Sequence, residues 1–331
     1  MSIPEPFRLL LYLLGVMAFV GVNAAYLVLA ERKGAGRFQR RPGPQEVGYG
    51  GWLQPIADAV KLISKQIIVP PGADALLFRL APAMVMMPAL MSLAVVPFGE
   101  TLAGRNINIG LVFVFAFGAV NVMAVMLGGW ASRNKYAIIS AARVVSQDVA
   151  YEIPMLLVIV TLLMVTGTMN LNDIVRQQAG WFWHWNICRL DLNPLMPVTF
   201  LIFFTCMLAE TNRAPFDMAE AESELVAGAY TEYGGMGFGV FFMAEYANIV
   251  LGCSMAVVLF LGGWQSPFGA GSGVWWFLLK MYALIFTVIW VRWTFPRTQF
   301  YNLLNLSWKV LIPISLLALV LTAAMLKVLR A

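Results

Sequence analysis

Apolar runs of about twenty residues recur along this chain, and that is the length a helix needs to cross a hydrocarbon core. Spans are expected near residues 8–30, 76–98, 107–130, 149–167, 195–211, 238–262, 272–292 and 309–329. Inside lipid the backbone has no water to bond, so segments of this length satisfy themselves as helices. The composition agrees: 60% of residues are hydrophobic and 12% are charged, where a soluble domain carries roughly a quarter charged residues. The 331 residues therefore read as one polytopic membrane domain, 1–331, in an all-α integral membrane protein of about eight transmembrane helices.

The basic residues orient it. Fifteen of the 22 Lys and Arg residues fall on one side of such a bundle if both termini lie outside, and an excess of cations marks the inner side. The net charge of +5 is then the ordinary orienting signal, and no nucleic-acid partner is implied. Arg8 precedes an apolar run long enough to remain as a spanning helix rather than a cleaved signal.

Several chemistries are disfavoured within this chain alone. Cys188, Cys206 and Cys253 are far apart and form no paired motif, and His184 is the only histidine. That set supports no disulfide framework, iron–sulfur site or bis-histidine haem. Trp181, Trp183 and Trp185 surround His184 and fit an aromatic belt at the headgroup level.

The first inner loop is patterned. A turn-rich stretch with Pro42, Gly43, Pro44, Gly48, Gly50 and Gly51 precedes Trp52, Ile56, Val60, Ile63 and Ile67, which share one helical face. Gln54, Asp58, Lys61 and Lys65 fall on the other. The spacing predicts a short amphipathic helix, lying in the membrane interface or capping a partner, or an ordinary surface helix.

Charge concentrates in residues 210–233. Glu210, Asp217, Glu220, Glu222, Glu224 and Glu232 face a single cation, Arg213, between two apolar runs. Ionisable clusters beside or within a membrane are expensive and functional by default. If Asp217–Leu225 is helical, Asp217, Glu220 and Glu224 share a face. Neighbouring carboxylates there repel by about 3 kcal/mol at an effective dielectric near 20, so protons become shared among them. Such a row passes protons, or serves as an acidic face that docks a basic partner; residue types leave both readings open. Glu31, Asp148, Glu152 and Glu245 stand at or inside other spans, with Arg292 and Arg297 as available counter-charges. Together they suggest a polar path from the inner loops into the bundle.

These motifs carry a resemblance. Ala209–Asp217, Glu220–Gly228 and Thr231–Tyr233 closely resemble the signature of the H subunits of the proton-pumping NADH:quinone oxidoreductases, complex I. FFMAEYAN at 241–248, WASRNKY at 130–136, AERK at 30–33, LQPIADAVKL at 53–62, residues 80–99, Tyr151–Glu152 and residues 290–297 are similar to the same family, in order, over at least residues 30–310. The chain departs from its pattern at Arg41–Gly51, at Asp148, where the family is usually uncharged, and at Ala219.

The resemblance implies a subunit without its own redox cofactor, at the junction of a hydrophilic arm and a membrane arm. Quinone would be the substrate, and flavin and iron–sulfur clusters would sit in partner subunits. Arg32, Arg41, Asp58, Glu31, Trp52, Arg292 and Arg297 would belong to the quinone chamber. Glu210, Arg213, Asp217, Glu220, Glu222, Glu224 and Glu232, continued by Glu152 and Glu245, would couple quinone chemistry to proton movement. Partners would be other complex I subunits, quinone and membrane lipid, and the location the cytoplasmic (inner) membrane of a bacterium, with both termini outside. Related subunits of ferredoxin- or F420H2-linked quinone reductases and membrane-bound hydrogenases are an alternative; a stand-alone cation transporter or a purely structural membrane anchor is a more distant one.

Overall fold

The computed structural model describes residues 5–100, 102, 104–191, 193–218, 228–269 and 271–330. The described elements are α1 (Glu5–Phe38), α2 (Gln54–Ser64), α3 (Ala75–Val95), α4 (Gly110–Ala131), α5 (Lys135–Thr166), α6 (Leu171–Gln177), α7 (Met196–Glu210), α8 (Gly235–Phe260), α9 (Val274–Thr294), α10 (Phe300–Leu306) and α11 (Ile312–Arg330), with a π turn at Ser307–Leu311 joining the last two. Among the described residues, seven helical stretches are long and apolar enough to cross a membrane; Met196–Glu210 is a shorter apolar helix. The protein is an all-α integral membrane protein, with the amphipathic helix as α2.

Two boundaries differ from the sequence expectation, for the same reason. α1 runs to Phe38 rather than ending near residue 30, and α5 begins at Lys135 rather than near 149. Both extensions are polar, so hydropathy marks the membrane-length part of the helix and misses the turns beyond it. Asn134 sets the start of α5, its side chain accepting from the Tyr136 amide at 2.9 Å, and Gly167 ends it in the left-handed region at φ +66°. Asp74 caps α3 in the same way, accepting from the amides of Leu76 and Leu77.

The short helix α7 shapes the interior. Fifteen residues rise about 22 Å, less than a hydrocarbon core of roughly 30 Å. The chain leaving Glu210 therefore folds back inside the bundle, with Thr211 and Arg213 only 4% and 3% exposed. α8, among the most deeply packed helices, lies against α3, α1, α9 and α7, and α5 packs between α4, α7 and α11. Large apolar side chains such as Leu14, Met123, Phe286 and Val320 point outward, as a lipid-facing surface requires.

Proline shapes one contact. Pro154 lies inside α5 and donates nothing to the carbonyl one turn back, at Ala150. Ser307, in the π turn, donates its hydroxyl to that Ala150 carbonyl at 2.5 Å, and Tyr151 donates to Leu303 O at 3.0 Å.

At the C-terminal end of α8, side chains close the helix. Gln178 donates to Val258 O, Asn186 to Leu259 O, and buried Lys280 to the carbonyls of Leu261, Gly263 and Gln265. The Lys280 Nζ also sits 4.0 Å from the Trp185 ring centroid, a contact that favours its cationic form.

Candidate functional site

An apolar groove opens between α1, α2 and α8. Gly21, Ala24 and Ala25 of α1 leave room on one wall, Phe238 and Phe242 of α8 form another, and the polar row Gln54–Asp58–Lys61 of α2 forms the third. The apolar row Ile56–Val60–Ile63 is exposed on the outside of α2, so this helix turns its polar side to the groove. Arg32 donates to Asp58 at 2.8 Å and Gln54 supports the other carboxylate oxygen at 3.2 Å. Trp52 is exposed beside the groove, 6.1 Å from the Tyr26 ring and beneath the Lys33 ammonium at 5.5 Å.

A second cavity begins where the first ends. The two share Val28, Arg32, Phe242 and Tyr246, and the second is also lined by Glu31, Arg41 and Arg292. Behind Glu31 and Arg292 of its wall, Arg213 and Glu245 complete a cluster of four charges. Glu31 on α1 pairs with Arg292 on α9 and lies 3.7 Å from Arg213; Arg213 lies 3.7 Å from Glu245 on α8. Tyr246 donates to Glu31 at 2.5 Å, and the Arg213 guanidinium stacks 4.4 Å from the Tyr246 ring centroid. A buried arginine held between two carboxylates and an aromatic face is compensated twice, by charge and by the ring quadrupole.

The segment after Glu210 is tied at several points. Gln147 of α5 donates to Ala209 O at 2.7 Å and Phe216 O at 2.9 Å, bracketing the turn. Arg297 donates to Asp217 O and lies 3.7 Å from its carboxylate, while Thr298 donates to Pro215 O. Asp217 is not helical, so the expected one-face row of Asp217, Glu220 and Glu224 cannot begin there; Glu220, Glu222 and Glu224 lie outside the described residues. Past them, Glu232 accepts from Asn134 at 2.7 Å. Tyr233 stacks on Phe78 at 4.1 Å and donates to Gly128 O; burial pushes its phenol above the ordinary tyrosine range.

Deeper in, Glu210 borders two cavities. One holds Asp148, Glu152 and Gly118 with it. The other holds Ser92, Asn121, Thr211 and Asn248. Asn248 lies three residues beyond Glu245, one turn along α8, so polar side chains run from the Arg213 cluster toward Glu210.

The structure thus brings Glu31, Arg213, Glu245 and Arg292 into one cluster, Arg32 with Asp58, and Glu152 with Glu210. Arg41 lines the second cavity, but Arg297 serves the Asp217 turn and Trp52 stands beside the groove. Gln147, Tyr246 and Asn134 do not stand out in the sequence as site residues. Gln147 falls in the polar start of α5, just before the apolar run near 149–167; Tyr246, beside Glu245, looks like any aromatic in an apolar helix.

The family model described as NADH dehydrogenase matches residues 11–323. The H subunit of the NADH-quinone oxidoreductase of Desulfotalea psychrophila is 58% identical over 315 residues, covering 94% of this chain and 95% of that protein. The chain belongs to this family. The corresponding H subunit of Rhodospirillum centenum is 45% identical over 320 residues, 95% of this chain and 92% of its own length. With membership in this family of membrane subunits shown, the groove, the charged cluster and the Glu210 cavities are its candidate sites. Among the described residues no group of His, Cys, Asp and Glu assembles that could hold a metal ion.

Proposed function

We propose that this chain, a membrane subunit of an NADH-quinone oxidoreductase, forms part of the quinone chamber where the hydrophilic and membrane arms meet, and couples quinone reduction to proton translocation. The observation that carries the reading is the continuity of the apolar groove with the charged cavity through Arg32, Phe242 and Tyr246. An isoprenoid tail fits a wall of Gly21, Ala24, Ala25 and Phe238, and a polar quinone head fits the end where Arg32 and Asp58 sit. Reducing a quinone consumes protons as well as electrons, so charge at Glu31, Arg213 and Glu245 responds to the chemistry.

The coupling route then runs from that cluster by Asn248 and Thr211 to Glu210 and Glu152. Arg41 and Arg292 complete the wall of the chamber; Trp52 and Arg297 support it from outside. Asp217 and Glu232, with Glu220, Glu222 and Glu224 of the same acidic stretch of sequence, belong to the coupling groups. Flavin and iron–sulfur clusters belong to partner subunits, and the membrane is the bacterial cytoplasmic one with both termini outside.

The test uses the assembled complex. Arg32→Ala or Asp58→Asn should raise the quinone KM while NADH oxidation by a soluble acceptor continues. Equal loss of both activities would point to an assembly defect and sink the quinone role.

A further inference from the structure

We propose that Asp148 is a third proton-exchanging carboxyl group in the cavity that holds Glu152 and Glu210. Asp148 and Glu152 are four residues apart on α5, so their side chains stack on one face of the helix. Asp148 is 5% exposed, and its Oδ1 has no hydrogen-bond partner among the described residues. Both residues line the same cavity as Glu210.

The lining of that cavity decides the chemistry. From α4 it receives Phe115, Gly118 and Val122, none of them ionisable; from α7, Cys206 and Glu210; from α5 itself, Asp148, Tyr151, Glu152 and Met155. No Lys or Arg side chain is among them. Three carboxyl groups lining one cavity with no Lys or Arg among its described lining repel one another when ionised, so a proton lost by one is most readily replaced from another. A buried oxygen without a protein partner is also where an ordered water belongs, and water links carboxyl groups that do not touch.

In the exchange, an O–H bond of Asp148 breaks as one on Glu152 forms, after Glu152 has passed its own proton to Glu210. The charge of the cavity is unchanged by each internal transfer. Asp148 therefore acts as a reserve proton, one turn of helix away from the Glu152–Glu210 exchange. This rests on the reading of Glu152 and Glu210 as coupling groups.

The experiment compares Asp148→Asn, Asp148→Glu, Glu152→Gln and Glu210→Gln in the whole complex, reconstituted in vesicles. Quinone-linked turnover, protons moved per quinol formed, and the protonated-carboxyl region of the redox-induced infrared difference spectrum are read. Asp148→Asn should remove a carboxyl band and lower coupled turnover roughly tenfold, below the hundredfold or more lost with a sole proton donor because two carboxyl groups remain. Asp148→Glu should restore both. An assembled Asp148→Asn complex with unchanged band, turnover and proton yield, while Glu152→Gln loses them, overturns the role of Asp148 and leaves the route standing. No effect of any of the three neutralising variants overturns the route with it. Should neither Asp148→Asn nor Asp148→Thr yield an assembled complex, Asp148 is a folding residue and the proposal falls.

Discussion

A β-carbon on Gly118 would lie 3.1 Å from Glu210 Oε1, so the absence of a side chain on α4 is what lets the Glu210 carboxylate reach that helix. Among apolar residues such as Phe115, Phe117 and Val122, this glycine keeps the two cavities at Glu210 in contact. Gly118→Ala should raise helix propensity by about 1 kcal/mol yet crowd the carboxylate. The complex should assemble with normal heat stability, and quinone-linked turnover should fall; unchanged turnover in Gly118→Leu would show that the approach is incidental.

Arg213 is held between Glu31 and Glu245 with its plane on Tyr246. Removing one partner of a buried pair costs about 3–5 kcal/mol, because the remaining charge is stranded. Arg213→Met should therefore lower the thermal midpoint of the purified complex sharply. Adding Glu245→Gln should recover part of the loss, by a coupling of roughly 0.5–3 kcal/mol in a double-mutant cycle. Arg213→Lys keeps the charge but loses the planar stacking, and should fall between the two.

Arg32 and Asp58 behave differently, because their side chains are 49% and 29% exposed. A pair this open contributes about 0–1 kcal/mol. Arg32→Ala should leave the melting temperature within error of the parent and act on the quinone KM instead. A melting shift comparable to that of Arg213→Met would contradict the assignment to the groove mouth.

Gln147→Leu removes the donor shared by Ala209 O and Phe216 O. Leaving a buried acceptor unsatisfied costs about 1–3 kcal/mol, and here two are affected. Limited proteolysis should cut faster after Glu210 in this variant, and Gln147→Glu should behave alike, since a carboxylate brings no N–H. Equal protection in both would mean that Arg297 and Thr298 hold the turn unaided.

Much of this architecture was legible because lipid imposes one rule, backbone self-satisfaction, that shows directly as apolar runs. The eight segments expected from those runs correspond to seven long helices and the short α7. The amphipathic α2 was legible from its two rows; its orientation was not, since the polar row faces a groove built by α1 and α8, far away in sequence. Glu31 and Glu245 stood out as charges in apolar surroundings. Their pairing through Arg213 did not, because it depends on α7 being too short to carry the chain clear of the bundle. Tyr246 and Gln147 show the same limit: a hydrogen bond to a distant partner leaves no periodic trace.

The bond from Ser307 to the Ala150 carbonyl fills the vacancy that Pro154 creates in α5. A defect in one helix thereby acts as an address for another, and only one register of the π turn delivers a hydroxyl to it. The segment at the far end of the chain is thus keyed to the helix that bears Asp148 and Glu152, and a sliding of either would be felt by both.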